Sequence, residues 1–208
     1  MDLYFAPLAC SMATRIAAYE AELPINFIQV DTKARRAADG ADFMAINPMG
    51  QVPVLRTDDG TLLTENGAVL PYVADRAGRG LLGPQHGAER FRLHEWIGFI
   101  GTELHKATFT PPLDPKAGQG ARDYAKSKAA LRLSVLERRL AGHDFLLDGF
   151  SVADAYLVTV LNWAMFLQQD FSAAPSVPAY FKRLCARPSV GRALAEETKL
   201  YLEEQAKK

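Results

Sequence analysis

Cysteine is scarce: the 208 residues contain only Cys10 and Cys185, too few and too far apart in sequence for a disulfide framework. Chemistry at Cys10 needs a reduced thiol, which points to the cytoplasm. An excess of one charge is also missing. Lys and Arg number 24 against 24 Asp and Glu, so nothing electrostatic favours nucleic acid or a charged membrane as partner. No apolar run is long enough to cross a bilayer, and Met1, Asp2, Leu3, Tyr4 and Phe5 lack the basic start of a secretory signal. No His and Cys cluster has metal-ligand spacing, and neither repeats nor low-complexity segments occur. These absences leave the expectation of a soluble intracellular protein for which a small neutral or zwitterionic ligand stays open. The chain is long enough to bury a substantial core in one or two units.

What is present centres on residues 47–72. Pro48, Met49 and Gly50 read as a turn, 52–55 as a short β-branched run, and Asp58, Asp59 and Gly60 as a hairpin signal before a second run at 61–64. Pro53 lies inside the first run, where a trans proline removes a ladder donor. It therefore belongs at an edge, at a bulge or after a cis bond. A cis Val52-Pro53 bond would turn the Val52 N–H and C=O outward, ready to pair with an extended peptide. Thr64, Glu65, Asn66 and Gly67 then open a helical pattern. A carboxylate, an amide and free N–H groups at a helix start suit a ligand with both an ammonium and a carboxylate.

Before this stretch, 3–6 reads as a strand stopped by Pro7. Cys10 and Ser11 precede a helix with Met12, Ile16 and Tyr19 on one face, Ser11 being a plausible cap, and 26–30 alternates like a strand. Residues 32–40 read as a surface excursion and 42–46 as at most a short helix. With the hairpin and a helix at 65–76 the order is βαβαββα. This predicts a thioredoxin-like α/β domain at 1–78 and a linker at 79–86. Beyond it β signals vanish, and helices at about 88–108, 120–141, 151–168, 177–186 and 189–205 predict an all-helical domain at 87–208. Residues 111–115, with three prolines, are expected to part the first two of these helices. Ser151 and Asp154 form a capping box behind Phe150, a folding device.

Gln51, Val52, Pro53, Val54 and Leu55 followed by Thr64, Glu65 and Asn66 resemble the glutathione site of glutathione transferases. With Ala9, Cys10 and Ser11 and the run from Phe150 to Tyr156, the pattern is similar to the bacterial beta class across essentially the whole chain. The resemblance implies an α/β thioredoxin-like N-terminal domain plus an all-α C-terminal domain. It also implies glutathione as co-substrate with no other cofactor, a small apolar electrophile, a homodimer and a role in detoxification.

Residue by residue, the resemblance implies that Cys10 and His105 flank the glutathione sulfur and act in catalysis. Gln51, Val52 and Pro53 would lie along the peptide, Glu65 and Asn66 hold its γ-glutamyl end, and Arg35 meets its glycine end. Glu103, His105 and Lys106 would reach the site from the helical unit. Cys10 either donates weakly as a thiol or forms a mixed disulfide with glutathione. Position 13 is Ala, so a Cys-x-x-Cys dithiol cycle is unavailable. Met12, Phe109, Trp163 and Phe166 are candidates for an apolar electrophile pocket, while Tyr156 reads as core packing. The chain departs from the family pattern at Asn66 (usually Ser), Arg35 (Lys), Arg15 (His) and Met49 (Lys). Two rivals remain open: a glutathione-dependent thiol transferase or reductase using Cys10 covalently, and a non-catalytic binding or interaction protein on the same fold.

Overall fold

Alternation in the first strand separates two cores. The computed structural model describes residues 1–207; Lys208, the end of the helical unit expected at 87–208, lies outside the described residues. In β1 (Asp2–Phe5) Leu3 and Phe5 join the main hydrophobic cluster, while Tyr4 joins a smaller one with Val30, Phe43 and Val54. Successive strand residues face opposite sides of a sheet, so one strand serves both layers.

α1 (Met12–Glu20), β2 (Asn26–Asp31), β3 (Arg36–Ala37), α2 (Phe43–Ile46), β4 (Val54–Arg56), β5 (Leu62–Thr64) and α3 (Asn66–Ala77) complete the α/β unit. The sheet order is β3-β2-β1-β4-β5. β1 runs parallel to β2 and antiparallel to β4, with Tyr4 opposite Val54. The α1 crossover between two parallel strands is the βαβ start expected from the sequence, and β4 with β5 is the expected hairpin.

The stretch at 32–40 lies at the surface as expected apart from the buried Ala37, but it also carries a short strand that was not expected from the sequence. The Asp31 carboxylate accepts from the N–H groups of Lys33 (2.9 Å) and Ala34 (2.8 Å). That turn folds the chain back so that β3 pairs with β2, Val30 opposite Ala37.

In the helical unit α4 (Gly87–Phe99) runs on into a π-helical segment, Ile100–Phe109, and then α5 (Thr110–Leu113). Pro111 and Pro112 sit in the first turn of α5, where a missing N–H is tolerated, so the chain breaks after Leu113 and not before Pro111. The Thr108 and Thr110 hydroxyls donate to the carbonyls of Glu103 (2.6 Å) and His105 (2.7 Å), inside the π segment. α6 (Gln119–Leu140), α7 (Val152–Phe166), α8 (Ser176–Cys185) and α9 (Pro188–Ala206) follow. No described helix is long and apolar enough to cross a membrane.

α7 is buried along most of its length and packs against α1. The main cluster therefore runs without a break from Leu3, Met12 and Ile16 of the α/β unit to Leu157, Val160 and Val190 of the helical unit. At the start of α7 the fully buried Asp154 carboxylate accepts four hydrogen bonds. They come from the N–H groups of Leu146 (2.9 Å) and Ser151 (2.9 Å) and the hydroxyls of Ser151 (2.8 Å) and Tyr180 (2.7 Å). The cap thus ties α7 to the preceding loop and to α8.

Candidate active site between the two units

An open cleft of about 340 Å³ lies between the units. Its α/β side is lined by Cys10, Gln51, Val52, Pro53, Glu65 and Asn66, all singled out from the sequence. The peptide bond from Val52 to Pro53 is cis. Glu65 precedes α3 with φ of +66°, a left-handed backbone uncommon for a residue with a side chain and frequent at functional sites. The first N–H groups of α3 have no partner within the helix. The Asn66 amide donates to the Cys10 carbonyl at 3.2 Å, and its own oxygen is buried without a partner.

The facing wall comes from α4, the π segment and α7, with Gly101, Thr102, His105, Lys106 and Tyr156 prominent. A π segment winds more loosely than an α-helix and recurs at functional sites; here it carries His105 and Lys106 to the cleft together. His105 is buried, and its Nδ1 lies 2.7 Å from the Tyr156 hydroxyl. Burial first, and the Lys106 cation second, push His105 down to about 4. The imidazole is therefore neutral at pH 7 and serves as a hydrogen-bond partner, not as a reservoir for a proton.

Cys10 is part-buried and its Sγ donates to the Val52 carbonyl at 3.2 Å. Burial pushes the thiol up to about 12, against a smaller downward pull from Lys106. A nearby helix N-terminus contributes about 0.3–1 kcal/mol towards a thiolate, less than one pKa unit, so burial wins. Ser11 does not cap α1: its hydroxyl donates to the Ala6 carbonyl and accepts from the Ala6 N–H. The loop before Cys10 is braced further by Glu197 of α9, which accepts from the Leu8 N–H (2.7 Å) and from Arg15 Nε (2.9 Å). The Arg15 guanidinium lies over the Phe5 and Phe27 rings.

Several expected residues lie elsewhere. Arg35 is exposed in the turn before β3 and does not line the cleft. Glu103 is ion-paired with Arg132 of α6 and is likewise outside the lining. The apolar pocket expected from Met12, Phe109, Trp163 and Phe166 is not formed. Met12 and Phe109 are buried in the main core, and Phe166 is 74% exposed. Trp163 packs behind the site, its ring 4.8 Å from that of His105 and its Nε1 donating to the Leu8 carbonyl at 2.8 Å. Helical spacing puts such residues on common faces without saying which face turns to the ligand.

Tyr156, expected in the core, and His94 also line the cleft. Gly98 and Gly101, seven and four residues before His105, give no signal of either: a Cβ at Gly98 would meet nothing within 4 Å, and one at Gly101 only ordinary contact. A Cβ at Gly101 would stand 3.6 Å from the Tyr156 hydroxyl. No group of three or more His, Cys, Asp or Glu that could hold a metal occurs among the described residues.

The sheet, the thiol at the first strand-to-helix turn and the cis-proline segment beside it define a thioredoxin-like thiol site, here joined to an all-helical unit. Residues 1–75 match the model of the glutathione S-transferase N-terminal domain, and residues 101–188 that of the C-terminal domain. The glutathione S-transferase GstA of Escherichia coli O157:H7 is 36% identical over 199 residues, covering 95% of this chain and 98% of its own. A sphingomonad glutathione S-transferase solved in complex with glutathione superposes with a TM-score of 0.89 at 38% identity, over 95% of this chain and 99% of that one. A bacterial beta class glutathione S-transferase of Sphingomonas chungbukensis gives 0.87 at 38%, over 95% and 98%. The chain belongs to the glutathione S-transferase family, and within it is similar to the bacterial beta class.

Proposed function

We propose that the protein binds glutathione in this cleft and transfers its thiolate to a small apolar electrophile. The observation that carries the reading is one cleft in which Cys10 meets Val52, Glu65 and Asn66 stand at the start of α3, and His105 and Lys106 face them. In this reading glutathione lies along Gln51, Val52 and Pro53, its γ-glutamyl ammonium meeting Glu65 and the α-carboxylate the open N–H groups of α3. Lys106, a cation in the cleft, is better placed for the other carboxylate than Arg35. When the ligand's main-chain N–H takes the Val52 carbonyl, the Cys10 S–H is released to donate towards the ligand's sulfur. Binding and positioning then do most of the catalytic work, because a thiolate held against an electrophile is already a strong nucleophile.

Cys10 acts here as a neutral donor. The upward shift of its thiol favours that role over the mixed disulfide, which needs the Cys10 thiolate as attacking group. Division of labour between residues 1–78 and 87–208, residence in the cytoplasm, a part in detoxification and assembly as a homodimer belong to the same proposal. Exposed Phe91, Tyr124 and Leu131 of α4 and α6 support the last of these.

Retention on immobilised glutathione tests the reading. Wild-type protein is expected to bind, and Glu65→Ala to lose at least about tenfold in affinity, the worth of one charge-assisted hydrogen bond. In parallel, Cys10→Ala should retain conjugating activity. A glutathione-sized mass adduct on the wild type, abolished together with disulfide reduction by Cys10→Ala, would favour the covalent thiol-transferase reading instead.

A further inference from the structure

Tyr156 combines a buried ring with a hydroxyl at the cleft. It stands five residues after the α7 cap, in a helix buried along most of its length, and is only 3% exposed, yet it lines the cleft with Cys10 and Asn66. Its hydroxyl lies 2.7 Å from His105 Nδ1 and is also approached by the Asn66 side-chain amide. A phenol has one proton and two lone pairs. If the imidazole donates from Nδ1 into a lone pair, the phenolic proton is left for something else. The cleft is where that something must be, because the rest of the ring is enclosed by protein.

A second observation points the same way. The Asn66 side-chain oxygen is buried at the cleft without a partner, while its nitrogen is committed to the Cys10 carbonyl. An acceptor without a partner from one unit thus stands beside a phenolic hydroxyl from the other, and a buried polar group in that state is disfavoured until something fills it. A ligand that enters with both a donor and an acceptor relieves both.

We propose that Tyr156 is a catalytic residue: its O–H, backed by the neutral His105 imidazole, donates a hydrogen bond to the sulfur of bound glutathione and stabilises it as the thiolate. The proposal rests on the glutathione reading above and assigns the sulfur a partner from the helical unit. The thiol proton leaves to solvent through the open cleft; no bond to the protein is made. The electron pair left on sulfur accepts from Tyr156 until it forms the bond to the electrophile. Burial raises the phenol above its ordinary value, so the group keeps its proton and stays a donor throughout the working range.

The test is the pH dependence of thiolate absorbance for glutathione bound to wild type and to Tyr156→Phe. The expected result is an upward move of the bound thiol's pKa by about one unit, a tenfold loss of thiolate at a given pH. The dissociation constant for S-methylglutathione, which has no ionisable thiol, should stay unchanged. A merely structural role would weaken S-methylglutathione binding and leave the thiol pKa in place, which would overturn the proposal. Should Tyr156→Phe fail to fold, 3-fluorotyrosine at position 156 supplies a stronger donor of nearly the same shape. It should lower the bound thiol's pKa, and an unchanged value would refute the assignment. If wild-type protein binds glutathione but Tyr156→Phe behaves identically, this proposal falls alone; if wild type binds none, the function proposed above falls with it.

Discussion

At the scale of single residues, the neutrality of His105 has a consequence for stability. Its ordinary pKa of 6.5 falls to about 4 in the fold, so between those values the unfolded chain binds the proton more readily. The His105 contribution is therefore present above pH 6.5 and is lost as pH falls towards 4, a change of about 3 kcal/mol. Glu197 works in the opposite sense: burial lifts it from 4.5 to about 7, so its contribution is complete below pH 4.5 and fades as pH rises towards 7. The two oppose each other across the same range, and the difference between variants is the informative quantity. Denaturant titrations should show wild type losing more stability than His105→Gln on going from pH 7 to pH 4.5; parallel curves would contradict the depressed imidazole. Residues 51–53, 65 and 66 were legible as a site because turn chemistry and helix starts are local. Tyr156 and Trp163 were not, since their roles depend on which helix faces them. Arg35 lies outside the cleft because the turn set by the Asp31 carboxylate, five residues before β3, leaves it exposed.

At the scale of elements, α7 is held by its first turn. Asp154 gathers donors from the loop before the helix, from the cap and from α8. Asp154→Ala strands at least two buried donors, each costing about 1–3 kcal/mol, and also removes the cap. A loss of about 3 kcal/mol or more is expected by chemical denaturation, with Ser151→Ala costing about 1 kcal/mol; equal losses would mean that the carboxylate serves the cap alone. The capping box and the helix it starts could be read from residues 150–154, but the reach to Tyr180, 26 residues further on, could not. The same limit applies to the π segment. Nothing in the spacing of 100–109 marks the change of winding, in which the Thr108 and Thr110 hydroxyls bond to carbonyls five residues earlier.

At the scale of the whole molecule, the two units share a core, since α1 packs on both α7 and α9. The sequence marks the change from mixed to helical composition at residues 78–86, a covalent division that the packing does not respect. The units should therefore unfold together. Both tryptophans, Trp96 and Trp163, lie in the helical unit and Cys10 in the other, so emission and thiol reactivity follow the two separately. Coincident denaturant transitions are expected, whereas exposure of Cys10 at lower denaturant would show independent units.

Trp163 stands with its ring on His105 and its nitrogen on the loop that leads to Cys10, while Trp96 pairs with Phe99 outside the cleft lining. The molecule thus carries its own dye at the place where a guest settles and a reference dye elsewhere, and occupancy can be followed by light without attaching any label.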